Sequence, residues 1–173
     1  MFSYWAYILV GANNTGKTHF QRSLIRHLCD VHYDRLPINV VNEVNHPRAP
    51  RAFKTLFTMN RSYQEKVSLY KSVKRFFKRK EFFKDADACV LSSHSSEDDI
   101  SEMLMHLKRR CYNVAGVFWS NSYSSETGDI ALLPWDEKLW IENPRRRTDQ
   151  VDAQLDRLAE HFSQFLIARA RTQ

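Results

Sequence analysis

Glycine is scarce in this chain. Its 173 residues include four, Gly11, Gly16, Gly116 and Gly128. Two of them fall within one eight-residue stretch, which marks a place where the backbone needs a freedom that a side chain would deny it. Cysteine is also sparse: Cys29, Cys89 and Cys111 form an odd set without a C-x-x-C pair. That excludes a disulfide framework and offers no zinc signature. Each cysteine sits in an apolar pattern, so small buried thiols in a reducing compartment are expected. Long apolar runs are missing too. Tyr4–Val10 is too short to span a bilayer, and no basic residue precedes it as in a secretory signal. The expectation is a soluble, cytoplasmic protein with no membrane span. There is no internal repeat, low-complexity tract or linker, so positions 1–173 read as one domain.

What is present is ordinary globular composition, 43% apolar and 27% charged, which argues against disorder. The net charge is +6, which favours anionic partners without choosing among them. Five short apolar runs stand out: Tyr4–Val10, Ile38–Val41, Ala88–Leu91, Val114–Trp119 and Leu139–Ile141. They are rich in β-branched and aromatic residues and do not alternate strictly, as suits strands covered on both faces. Helical patterns lie between them, over Thr18–Val31, Arg61–Lys84, Glu97–Arg110 and Asp149–Arg169. Ser95 and Ser96 are candidate N-caps for the third, whose first turn is acidic. His46–Ala52 and Ser120–Pro134 read as loops. Strand and helix in alternation predict an α/β domain with a mostly parallel five-stranded sheet flanked by helices.

Gly11-Ala12-Asn13-Asn14-Thr15-Gly16-Lys17-Thr18 matches G-x-x-x-x-G-K-[ST] without a mismatch. The two glycines let successive N–H groups point into one concavity at a helix start, an anion nest. Lys17 supplies a cation for phosphate oxygens, and the Thr18 hydroxyl is placed to ligate Mg²⁺. Asn13, Asn14, Thr15 and the following His19 complete the candidate phosphate-contacting set. A buried strand precedes the motif and an amphipathic helix follows it.

On these residues the chain resembles the P-loop NTPase superfamily. Its C-terminal part, Lys138–Pro144 and the long helix after it, looks like that of small P-loop kinases. The resemblance implies a single three-layer P-loop NTPase domain that binds ATP with Mg²⁺. It also implies an ATP-dependent phosphotransferase or, alternatively, a nucleotide-gated ATPase or switch subunit. ATP is preferred to GTP because no N-K-x-D guanine motif is present. Such proteins usually carry a carboxylate at the end of a second apolar strand, to hold the metal or polarise water. Here Ala88–Leu91 ends in Ser92-Ser93-His94 instead. Three readings stay open: Ser92 or Ser93 contacts a metal-bound water, Glu43 supplies the acid, or turnover is weak. Glu43 is the favoured acid, set against an ordinary solvated glutamate. His94 is a candidate γ-phosphate sensor or proton relay, set against an ordinary loop histidine. Lys17, Glu43 and His94 form the expected catalytic set.

Lys71, Lys74, Arg75, Lys78 and Arg79 recur at helical spacing and would form one basic stripe of the Arg61–Lys84 helix, opposite Leu69, Val73, Phe76, Phe77 and Phe83. Arg145-Arg146-Arg147 forms a second basic cluster. Both are candidate contacts for nucleic acid or an acidic protein, set against plain solvated charge. Oligomerisation is left open.

Overall fold

The computed structural model describes residues 4–144 and 148–172. The chain runs β1 (Trp5–Val10), α1 (Lys17–Cys29), β2 (Asn39–Glu43), β3 (Thr55–Met59), α2 (Val67–Tyr70), α3 (Val73–Lys78), β4 (Ala88–Ser93), α4 (Glu97–Arg109), β5 (Asn113–Trp119), α5 (Ser125–Ile130), β6 (Glu137–Ile141) and α6 (Thr148–Arg171). Two 3₁₀ turns, Gln64–Lys66 and Ser120–Ser122, sit beside α2 and β5. The strands form one six-stranded sheet in the order β2-β3-β4-β1-β5-β6. Every pairing is parallel except β2 with β3.

Burial explains the layering. Ala6, Tyr7, Ile8, Leu9 and Val10 are all fully buried, because β1 is central and covered on both faces. Successive side chains point to opposite faces. Ala6, Ile8 and Val10 therefore join α2, α3 and α4 in one core cluster, while Tyr7 and Leu9 join α1 and α6 in the other. Each large apolar side chain so buried contributes about 1.5–3 kcal/mol. Among the described residues no helix is long and apolar enough to cross a membrane.

Several finer expectations are corrected here. The sheet has six strands, not five: the additional one is Thr55–Met59, a β-branched and aromatic run that the sequence reading assigns to no element. The sheet is mostly parallel as expected, and its one antiparallel pairing is that of the second strand, with Asn39 opposite Met59 and Glu43 opposite Thr55. The expected Arg61–Lys84 helix is broken into a 3₁₀ turn and two short helices. Lys71 takes φ 67° and ends α2, and the Ser72 hydroxyl accepts from the Arg75 N–H at 3.0 Å to start α3. The break turns Tyr70 into the core with Phe76, Phe77 and Phe83, whose rings pack edge-on or tilted at 4.8–6.0 Å. Leu69, expected on the packed face, is exposed. The basic residues 71–79 therefore do not lie on one continuous helix. Ser120–Pro134, expected as a loop, holds a 3₁₀ turn and α5.

Candidate functional site

The C-terminal ends of β3, β4, β1, β5 and β6 share one edge of the sheet, the edge where ligands meet open α/β sheets. Five loops gather there: Asn60–Tyr63, His94–Ser96, Gly11–Gly16, Ser120–Ser124 and Glu142–Pro144. All but Asn60–Tyr63, together with the start of α6, line a cavity of about 1000 Å³.

Between Val10 and α1 the backbone reverses within six residues. Asn14 (φ 60°) and Gly16 (φ 97°) take left-handed conformations. Asparagine tolerates that region and glycine enters it without strain. Space makes the same demand at Gly16: a Cβ there would lie 2.7 Å from the Leu155 Cδ2 of α6. Gly16 is also the N-cap of α1 and offers no side-chain acceptor. The N–H groups of Lys17, Thr18 and His19 thus have no intrahelical partner and carry the positive end of a thirteen-residue helix dipole.

Lys17 is buried, and its ammonium folds over the loop. It donates to the Gly11 carbonyl, to the Ala12 carbonyl at 2.7 Å and to the Thr15 hydroxyl at 3.2 Å. Burial pushes its pKa down to about 8, with Glu65 opposing the shift. His94 feels the same field: burial and then the Lys17 charge lower its pKa, and Glu65 again opposes. Burial works against ionisation of Glu65 itself. Hydrogen bonds from the Ser62 N–H at 2.9 Å and from Arg61 at 3.1 Å outweigh that and hold the carboxyl below its ordinary range.

The opposite wall is polar. The Ser122 hydroxyl accepts from the Ala12 N–H at 2.8 Å and ties the loop to the end of β5. Asn143 donates to the Thr15 carbonyl at 3.1 Å and accepts from Gln154 of α6. Two buried atoms of cavity-lining residues, His94 Nε2 and Asn121 Oδ1, have no hydrogen-bond partner among the described residues. Such groups are costly unless something satisfies them.

The expected site residues divide. Asn13, Asn14, Thr15, Gly16 and His94 line the cavity. Thr18 is exposed, and its hydroxyl lies 3.4 Å from the Asn60 carbonyl. His19 faces α6, with Nδ1 3.1 Å from Asp152, and lines a separate cavity of about 550 Å³ with Arg22 and Arg26. Glu43 is corrected as the acidic partner. Its register opposite Thr55, just before the Leu56–Ala88 pair, puts it at the N-terminal edge of the sheet. That is a whole strand length from Gly11, roughly 20 Å at about 3.3 Å per residue. Arg48, in the loop that follows, is held by Gln164 at 2.6 Å. The carboxylate that reaches Lys17 and His94 electrostatically is Glu65, which sequence reasoning missed. Its Ser62-x-x-Glu65 spacing, a capping-box signature, is the signal that could have found it. Ser122, Asn143 and Gln154 had no comparable signal. Arg145, Arg146 and Arg147 lie outside the described residues.

Among the described residues no group of three or more His, Cys, Asp or Glu side chains is arranged to hold a metal. The donor set does fit Mg²⁺ carried in by phosphates, since that ion keeps most of its waters and needs few protein ligands. Thr18 is the protein oxygen available for it.

No protein-family model matches the chain, and no curated protein matches it. Among solved structures, the chain is similar to phosphoheptose isomerase GmhA from Neisseria gonorrhoeae, at a TM-score of 0.42 and 13% identity over 94% of this chain and 77% of that one. A likeness that weak says nothing about ligand or reaction. The expected membership of the P-loop NTPase superfamily is corrected: no family model matches the chain, so the motif alone does not place it there. The assignments as ATP-dependent phosphotransferase and as nucleotide-gated ATPase or switch fall with it. The physical reason is that eight residues specify a local backbone and one cation. The carboxylate a phosphoryl-transfer site needs is absent from the end of β4 and misplaced at Glu43.

Proposed function

We propose that Gly11–Thr18 is a phosphate-binding loop and that the cavity above the strand ends takes a phosphorylated small ligand, with ATP and Mg²⁺ as the first candidates. The observation that carries this reading is the buried Lys17 ammonium, beside the uncapped start of α1 and next to Thr15 and Gly16, which line a large cavity. A buried cation that leans on backbone carbonyls has lost much of its hydration, and an anion restores what burial took away. A phosphate charge about 4 Å from the ammonium gains about 4 kcal/mol at an effective dielectric of about 20, before the phosphate's own desolvation. The unpartnered His94 Nε2 and Asn121 Oδ1 supply further polar contacts, and Thr18 supplies one oxygen to a phosphate-borne Mg²⁺. No reaction is assigned to the site.

Calorimetric titration with Mg-ATP, tripolyphosphate and inorganic phosphate tests this. Binding is expected to weaken at least about tenfold in Lys17→Ala, the scale of a lost charge-assisted hydrogen bond. In Glu43→Gln it is expected to stay unchanged, because Glu43 sits at the far edge of the sheet. ATP affinity unaltered by Lys17→Ala, or no binding of any of the three, would sink the proposal.

A further inference from the structure

The charge excess of this chain sits in one segment. Positions 66–84 hold eight Lys or Arg and one Glu, a net of +7. The remaining 154 residues hold 18 basic and 19 acidic ones, a net of −1. All seven cations between positions 71 and 84 are exposed. Among the described residues the segment makes one ion pair, Arg79 with Glu81 at 3.9 Å, and both of its side chains are more than half exposed. A pair of that kind holds little.

The cations are mounted on a firm base. Beneath them Tyr70, Val73, Phe76, Phe77 and Phe83 are buried, and Phe83 packs on Phe57 of β3 at 5.2 Å. Arg110 of α4 braces the same base, with its guanidinium 5.1 Å from the Phe83 ring and bonds to the Phe77 carbonyl and Asp85. The positive surface is therefore carried by ordered turns and short helices. Holding so many like charges together costs self-repulsion, which a polyanion relieves.

The chemistry of the exposed side chains selects the polyanion. Segment 66–84 contains no Asn or Gln to pair with adenine edges. Its aromatic residues are buried or half-buried, so no ring is free to stack on an unpaired base. A bilayer needs a broad apolar face to insert, and here Val73, Phe76 and Phe77 are spent in the core, which leaves Val67 and Leu69 of α2 as the exposed large aliphatic side chains of the segment, too few for such a face. What is left is a set of Lys and Arg suited to a regular array of phosphates.

We propose that residues 71–84 form a surface that binds the phosphate backbone of double-stranded nucleic acid without sequence preference. The surface is separate from the Gly11–Thr18 loop and does not rest on the ligand proposed for it.

Fluorescence anisotropy of the full chain with two 20-bp duplexes of unrelated sequence, from 50 to 200 mM KCl, tests the proposal. Equal affinity for both is expected. Contacts to three to five phosphates give a slope of log K against log[KCl] of about −3 to −5. Replacing Lys74, Arg75, Lys78 and Arg79 with alanine removes most of these contacts. The slope then falls to about −1 and affinity at 50 mM KCl drops at least ~30-fold. A second variant, Lys71→Ala with Lys80→Ala and Lys84→Ala, keeps α3 intact and is expected to lower the slope by about 2. Unchanged Mg-ATP titration of both variants separates loss of this surface from loss of the loop site. The proposal is overturned by no duplex binding at 50 mM KCl, or by a slope that neither variant changes. Tighter binding to phosphatidylserine vesicles or to polyglutamate than to duplex also overturns it.

Discussion

Gly16→Ala places one methyl group where the loop, α1 and α6 meet, and its cost can be worked from the structure. Gly16 has φ 97°, where an L side chain is strained by about 1–2 kcal/mol. The new Cβ would stand 2.7 Å from Leu155 Cδ2 and 2.9 Å from Cδ1. Leu155 cannot simply swing aside, because it is buried in the cluster that holds Phe20, Ala159 and Phe162. Overpacking of such a site costs about 1–3 kcal/mol. The combined destabilisation is about 2–5 kcal/mol, and at about 2–4 °C per kcal/mol for a chain of this size the melting point drops by roughly 10 °C. Thermal and urea unfolding of the wild type, Gly16→Ala, Leu155→Ala and the double variant read both contributions. Leu155→Ala alone costs about 2–5 kcal/mol through its cavity. In the double variant the clash is gone while the backbone strain stays, so the two costs sum to about 1–3 kcal/mol more than is measured. A melting point of Gly16→Ala within 2 °C of wild type refutes the geometry of the loop. Costs that add to within about 0.5 kcal/mol refute the contact with Leu155.

The depressed pKa of Lys17 makes stability depend on pH in a definite direction. Between the folded value of about 8 and the ordinary lysine value of 10.5 the unfolded chain binds the extra proton, so stability rises with pH across that window and is lost again as pH falls toward about 8. Urea titrations at pH 7.5 to 10 should show that rise in the wild type and a flatter profile in Lys17→Met. Bound phosphate is expected to raise the Lys17 pKa, which NMR of the Lys side-chain carbons would follow. Thiol chemistry gives a separate check on packing. Cys29 and Cys89 are buried, and burial pushes both thiols up to about 12, whereas Cys111 is exposed. A thiol-reactive dye should therefore label one cysteine per native chain and all three in denaturant. Fast labelling of two or more in the native state contradicts the core assignment.

The local features were legible because local physics specifies them. A left-handed position before a helix demands glycine, and Gly16 stands there. Fully buried strands need unbroken apolar runs, and β1, β4 and β5 have them. Helix α4 has its acidic first turn and its stripe Ile100, Met103, Leu104 and Leu107. Where the reading failed, the deciding contacts were distant in the chain. Residues 61–84 carry helical periodicity, yet burying Tyr70 together with Phe76, Phe77 and Phe83 against the sheet required a break at Lys71. Residues 39–43 look the same as a parallel or an antiparallel strand, because alternation of faces does not record direction.

That direction decided the character of the site. With β2 antiparallel, Glu43 went to the far edge of the sheet, and Glu65 became the carboxylate that reaches Lys17 and His94. The sequence by itself determined the turn at Gly11–Thr18, its cation and the strand and helix around it, since those depend on neighbours along the chain. Only the tertiary structure decided which polar groups face that turn: Glu65 and His94 on one side, Ser122, Asn143 and Gln154 on the other. They arrive from five separate segments, and no local pattern encodes the pairing of strands that brings those segments to one edge.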